Sequence, residues 1–280
     1  MEPSKLPTFL CIGAPKCGSS WLHQLLESHP HVFIPTELKE VHFFDRKFDK
    51  GFDWYARFFQ PMTAPQKISG EITPHYLYCD PQRIRSIESI NKLIIIYRDP
   101  IERCISHYKF RMRLDNYRGT FREFLAEYPE AIEWSMYGKY FEAYLSCFDR
   151  SQFLVIRFED AVNSVPETCA RLGQFLGIDA SLFPPNVGQR VVNKSFMPKN
   201  RTLYKLSVGV GHGLANLGLY RVRNWLKRSF LVRRFFLREN GNFDVQIKDE
   251  DLEPLRQIFA TDMERFQRLI ERDSLGTGTT

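Results

Sequence analysis

The stretch Phe9-Leu-Cys-Ile-Gly-Ala-Pro-Lys-Cys-Gly-Ser-Ser-Trp-Leu22 decides the fold. Its first four residues, Phe9 to Ile12, form an apolar run of the kind that fills a buried strand. Gly13, Pro15 and Gly18 then turn the chain. Ser19 and Ser20 open a segment whose apolar residues, Trp21, Leu22, Leu25 and Leu26, recur at helical spacing. Strand, small-residue loop and helix start together make an anion cradle. Loop N–H groups and the positive end of the helix dipole converge on one point. A plain glycine turn carrying a solvated lysine gives the same local pattern, so a second motif is needed.

Outward from this stretch, apolar strands and amphipathic helices alternate. Further strands are predicted at Val32–Ile34, Ile68–Ile72, Lys92–Tyr97 and Phe153–Phe158. Lys92–Tyr97 is apolar and β-branched along most of its length, the pattern of a central parallel strand covered on both faces. Helices are predicted over Ser20–Ser28, Arg83–Ile90, Glu133–Phe148, Val165–Leu176 and Asp251–Asp273. Another starts at Asp99-Pro100-Ile101-Glu102, with a capping aspartate, a proline at the first position and a capping-box glutamate. This alternation predicts an α/β fold: a P-loop-like three-layer sandwich with a central parallel sheet flanked by helices. No repeat or linker divides the chain, so residues 1–280 read as one domain. Its site-bearing core covers about 8–180. An irregular stretch, 181–212, and a basic, helical C-terminal part complete it to residue 273.

Composition narrows the partners. A net charge of +6 favours acidic ligands: phosphorylated cofactors or anionic glycans ahead of nucleic acid. Six cysteines include no C-x-x-C pair, which argues for free thiols in a reducing compartment rather than a disulfide or zinc framework. Met1 to Thr8 is too short and polar for a signal peptide, and no run approaches the ~20 apolar residues of a membrane span. A cytoplasmic protein without stable membrane insertion is the expectation. Residues 221–238 hold seven basic and no acidic residues. Arg223, Lys227, Arg234 and Arg238 recur there at near-helical spacing. They read either as a solvated helix face or as a contact for an anionic acceptor or a membrane surface.

Gly13 and Gly18 have the spacing of the glycines in a nucleotide P-loop, G-x-x-x-x-G-K-[ST], but Ser19 stands where the lysine belongs. The lysine has moved into the turn, at Lys16. The second motif is Tyr97-Arg-Asp-Pro-Ile-Glu-Arg-Cys-Ile-Ser-His-Tyr108. Arg98 and Ser106 there can both point over the carboxyl edge of the sheet, where open α/β sheets bind ligands. Arg98 offers a planar fork suited to phosphate; pairing with Asp99 or Glu102 is the plainer alternative.

Taken together, these motifs resemble those of the sulfotransferases that use PAPS (3′-phosphoadenosine-5′-phosphosulfate). Pro-Lys-x-Gly-[Ser/Thr]-[Ser/Thr]-Trp-Leu is similar to their 5′-phosphate loop, and residues 97–108 to their 3′-phosphate motif. Lys39 to Phe59 resembles the heparan sulfate N-/3-O-sulfating branch, including its bacterial relatives. The resemblance implies donor contacts from Lys16, Cys17, Gly18, Ser19, Ser20, Trp21, Arg98 and Ser106. From the loop Pro198-Lys-Asn-Arg-Thr202 it implies Lys199, Arg201 and Thr202. It implies Glu40 as general base and His42 as a second active-site residue, an alternative base or a positioning group. Lys16 would stabilise the leaving phosphate of PAP, and no metal would be required.

Two departures bear on the acceptor. The strand that ends Glu-Lys-Thr-Pro in the family reads Glu71-Ile-Thr-Pro74 here, and the late disulfide of the heparan enzymes is absent. The acceptor expected is therefore a small metabolite of bacterial secondary metabolism, with a glycan or lipid as alternatives. A P-loop kinase and a non-catalytic nucleotide-binding module are the competing readings, and the oligomeric state is left open.

Overall fold

The computed structural model describes residues 6–60, 62–188, 196–198, 200–216, 237–239 and 247–271, with Val222 and Val245. Its centre is a five-stranded sheet of β1 (Phe9–Gly13), β2 (Val32–Phe33), β3 (Ile68–Ile72), β4 (Lys92–Tyr97) and β5 (Phe153–Arg157). The order is β2-β3-β1-β4-β5 and every pairing is parallel. Alternation along β1 assigns its side chains to two cores. Leu10 and Ile12 join Leu93, Ile95, Phe153 and Val155 on one face. Phe9 and Cys11 join Ile72, Ile94, Ile96 and Ile156 on the other.

Helices cover both faces, as the near-continuous apolar strands require. α1 (Ser19–Glu27) and α4 (Val165–Leu176) close the second core, with Gly177 ending α4 in the left-handed conformation at φ 74°. α3 (Tyr137–Leu145) and the C-terminal α6 (Asp249–Glu271) close the first. α2 (Pro100–Leu114) follows β4 and packs into a smaller aromatic cluster with Phe121, Phe124 and Phe259. The three-layer parallel sandwich expected from the sequence is thus present. Among the described residues no helix is long and apolar enough to cross a membrane.

Three local expectations are corrected. The single helix expected over Glu133–Phe148 is broken between Glu130–Glu133 and α3. The break lets Ser135 Oγ accept from the buried Arg103 Nε at 2.7 Å. It also lets Asp262 of α6 cap α3 by accepting from Gly138 N and Lys139 N, both at 2.8 Å. Overlapping the end of the stretch read as irregular, 181–212, Arg201–Asn216 forms α5, started by Asn200 Oδ1 accepting from Leu203 N at 3.1 Å. Gly209, Gly211 and Gly213 mask its helical pattern in the sequence. Finally, Leu237–Glu239 is a strand paired antiparallel with Phe196–Pro198, so Arg238 does not sit on a helix face. Arg223, Lys227 and Arg234 lie outside the described residues.

Candidate active site

Strand order determines what meets at the carboxyl edge of the sheet. β1 lies between β3 and β4, so the loop after β1 is flanked by the ends of both. Ala14 N donates to Ile96 O at 2.7 Å and fastens the loop to β4. Gly18 takes φ 92°, and a Cβ there would stand 2.1 Å from the Phe158 ring, so glycine is required twice over. α1 begins directly after it, with no side-chain cap and no acidic residue in its first turn. The start of α2 differs: Asp99 Oδ1 accepts from Ile101 N and Glu102 N, both at 3.0 Å. One helix N-terminus on this edge is open to an anion and the other is closed.

Lys16 is held in the left-handed region at φ 71°, with Nζ 3.7 Å from the centroid of the Phe110 ring. Among the described residues it has no carboxylate partner. Burial, and then the neighbouring Arg113 and Arg103, lower its ammonium from 10.5 to about 7. Arg103 is itself fully buried, with Nη1 lacking a hydrogen-bond partner. His107, beside Arg103 and Arg111, is driven down to about 3 by burial and by those cations, and so stays neutral. Among the described residues Lys16 and Arg103 are buried with no carboxylate ion pair, which fits a polyanionic ligand.

The remaining loop residues are placed as follows. Ser19 is buried at the helix start, and Ser20 Oγ accepts from Lys39 Nζ at 2.5 Å. Trp21 Nε1 donates to Gly188 O at 3.1 Å, and its ring meets Phe158 edge-on. Cys17 is fully buried, its sulfur 3.4 Å from the Tyr137 hydroxyl, and burial pushes its thiol up to about 11. It is a packing residue within the loop and inert as a nucleophile at neutral pH.

Arg98 leaves β4 beside this loop. Its Nη2 is 3.4 Å from Glu102 and its Nε 3.4 Å from Glu159, with the guanidinium 5.8 Å from the Phe158 ring. Both local carboxylate pairing and access to the edge are therefore present, since the side chain stays partly exposed. Ser106 lies two turns into α2 and is half-buried. Lys199 lies outside the described residues. Arg201 and Thr202 open α5, but their side chains also fall outside the description.

Beyond β3, Glu40 and His42 share one hydrogen-bonded cluster. His42 adopts φ 56°, so two of the three non-glycine residues with positive φ among those described, Lys16 and His42, stand at this edge. His42 Nε2 is 3.3 Å from Glu40 Oε2, and its Nδ1 is 2.9 Å from Asp45 Oδ2. Burial disfavours the imidazolium, but the hydrogen bonds it donates to Asp45 and Glu40 outweigh this and raise His42 to about 9. Burial would raise Glu40, yet the His42 hydrogen bond and the charges of Lys39 and His42 hold it below the usual carboxylate value. At neutral pH the arrangement is carboxylate, imidazolium, carboxylate. Lys39 Nζ lies 3.7 Å from Glu40 Oε1 while donating to Ser20, and so joins this cluster to the first turn of α1.

Sequence reasoning missed what holds that cluster. Glu71, fully buried at the end of β3, accepts from Tyr55 at 2.6 Å, Tyr76 at 2.8 Å, Thr73 at 3.0 Å and Val41 N at 3.2 Å. Burial raises its carboxyl despite these bonds. Val41 N also donates to Thr73 Oγ1, and Phe43 N donates to the Tyr76 hydroxyl at 2.7 Å. The backbone between Glu40 and Phe43 is thereby anchored to β3. The Glu71-x-Thr73-Pro74 motif was the available signal. His75, 5.6 Å from the His42 ring, and Trp134, edge-on to His75, form an aromatic wall nearby.

Comparison with known proteins agrees with this geometry. The family model described as "Sulfotransferase domain" matches residues 6–208. Heparan sulfate glucosamine 3-O-sulfotransferase 3B1 of Mus musculus is 34% identical over 185 residues, 62% of this chain and 47% of that protein. Human heparan sulfate glucosamine 3-O-sulfotransferase 5 is 31% identical over 201 residues, 66% of this chain and 56% of that protein. The chain thus spans about half the length of the curated relatives it matches. A sulfotransferase crystal structure from Alicyclobacillus acidocaldarius superposes with a TM-score of 0.66 at 23% identity, over 95% of this chain and 96% of that one, and shares the fold. The chain belongs to the sulfotransferase family and is related within it to the heparan sulfate branch.

Proposed function

We propose that this chain moves the sulfuryl group of PAPS onto a hydroxyl or amine, with Glu40 as general base. The observation that carries the reading is Lys39, which touches both the first turn of α1, through Ser20, and Glu40. This contact supports assigning the cationic anion cradle and the ionised carboxylate to one site. The open N-terminus of α1, with the N–H groups of Gly18 to Trp21, would hold the 5′-phosphate, assisted by Ser19 and Ser20. Arg98 and Ser106 would hold the 3′-phosphate, with Lys199, Arg201 and Thr202 covering the donor. Lys16, charged once an anion is bound, would stabilise the negative charge that develops on the leaving phosphate oxygen.

Glu40 is ionised across the neutral range and can take the acceptor's proton as the O–S or N–S bond forms. His42 already carries a proton on each ring nitrogen when charged, so it serves to hold Glu40 in place rather than to accept a proton. The transfer uses no metal in this scheme, and EDTA should leave it intact. The acceptor proposed is a small hydroxylated metabolite, because Ile72 stands where the motif of the resembled family often has a lysine. A glycan acceptor is the second reading, favoured by the names of the 31–34% identical relatives. Six free thiols support a reducing compartment such as the cytoplasm.

Radiolabelled PAPS incubated with an acceptor panel, alongside Lys16→Met and Glu40→Gln, tests the scheme. Transfer to at least one acceptor, abolished in both variants, is expected. Donor binding without transfer to any acceptor would favour a binding module, and ATP turnover without PAPS binding a kinase.

A further inference from the structure

We infer that Glu40, His42 and His75 form a site for a divalent transition-metal ion of the Zn²⁺ class, and that occupancy switches transfer off. One donor atom from each residue lies within 4.8 Å of the other two. Glu40 Oε2 and His42 Nε2 are 3.3 Å apart. Bonds of about 2.0–2.2 Å at a tetrahedral zinc centre put neighbouring donors ~3.3–3.6 Å apart, so this pair already has ligand spacing. His75 reaches the same spacing with a movement of roughly 1.5 Å or less.

Two further observations point to a cation. Asp45 Oδ2 sits 2.9 Å from His42 Nδ1, the carboxylate–imidazole arrangement that fixes the tautomer and direction of a metal-bound histidine. His75 Nδ1 is buried with no hydrogen-bond partner, an orphaned donor-acceptor beside the Glu40–His42 pair; Asp45 Oδ1 is the other buried polar atom of the cluster left without one. Two imidazoles and one carboxylate suit Zn²⁺, Co²⁺ or Ni²⁺; Mg²⁺ and Ca²⁺ prefer all-oxygen sites. Lys39 opposes a cation, but its ammonium engages Oε1 of Glu40, not Oε2. The ion replaces the Nε2 proton of His42, which leaves to solvent, and a water completes the coordination. The silencing rests on the proposed role of Glu40: the carboxylate lone pair that would accept the acceptor's proton is committed to the ion.

The test is a Co²⁺ titration of the whole chain followed by visible absorption, with Zn²⁺ as competitor. One equivalent should bind with the d–d bands of a low-coordinate ion and no thiolate charge-transfer band. His75→Asn and Asp45→Asn should each weaken binding about tenfold or more. Because a variant can fold poorly, imidazole ¹⁵N spectra of the unsubstituted protein provide a second measurement: one equivalent of Zn²⁺ should move the signals of His42 and His75. A thiolate band, unchanged affinity in folded His75→Asn, or unmoved His42 and His75 signals would overturn the site. PAPS turnover on a working acceptor should fall with Zn²⁺ occupancy and return with EDTA. Binding at these residues with undiminished turnover would uphold the metal site but overturn both its switching role and Glu40 as base.

Discussion

Raising the pH from 7 to 9 should weaken donor binding about fiftyfold through Lys16 alone. Its ammonium is lowered from 10.5 to about 7, first by burial and then by Arg113 and Arg103. That difference amounts to about 5 kcal/mol against the charged form. A bound phosphosulfate supplies the missing negative charge and restores the proton, so above pH 7 binding takes up one proton and affinity falls tenfold per pH unit. Calorimetry with PAP in buffers of different ionisation heat reads this directly: uptake at pH 8 should approach one proton. Lys16→Met keeps an apolar stem over Phe110 and should bring uptake near zero and flatten the profile. Uptake near zero in the unsubstituted protein, or uptake persisting in Lys16→Met, would refute the argument. Without donor, the unfolded chain holds the Lys16 proton between about 7 and 10.5 while the folded one does not, so this group adds stability as pH rises through that window. His42 acts oppositely: its contribution is complete below 6.5 and is lost as pH rises through about 9.

Glu40→Gln should lower kcat by about 10²–10⁴ while leaving PAP affinity within a fewfold, measured by single-turnover transfer and calorimetry. Because Glu40 is held below its ordinary 4.5, the acid limb of kcat/KM in the unsubstituted enzyme should lie below that pH. Gly18→Ala must place a methyl 2.1 Å from a Phe158 ring carbon at φ 92°, so denaturant unfolding should show a loss of about 1–3 kcal/mol and PAP binding should fail. Adding Phe158→Leu should recover part of the stability. Tyr55→Phe removes one of the hydrogen bonds held by buried Glu71 and should cost about 1–3 kcal/mol in urea unfolding.

The strand–loop–helix geometry of residues 9–22 was legible because its cause is local: a strand, a glycine with positive φ and a helix start are contiguous, and each follows from residue type. The parallel sheet was legible for the same reason, from the apolar run of Lys92–Tyr97 onward. What could not be read depends on side chains far apart in sequence. Tyr55, Tyr76 and Val41 converge on Glu71 only because β3 passes beneath the 40–43 segment. The charge state of His42 needed the spacing to Asp45 and Glu40 together with their burial. His75 carried no signal as one aromatic-like residue among several. The break before α3 was hidden because Asp262, which caps it, lies 124 positions from Gly138 in the chain.

The strand order β2-β3-β1-β4-β5 also has a meaning for how specificity can change. Residues proposed to grip the donor sit on the loop after β1 and toward β4, whereas Glu40, His42, Glu71 and His75 belong to the β2–β3 side. A graft that exchanges residues 40–59 and 73–78 for those of another family member replaces one bank of the cleft and leaves the other in its native sequence. Substrate choice can thus drift on one bank while the donor bank stays fixed, provided the grafted segments keep the groups that donate to the host's Glu71, since it anchors the transplanted backbone.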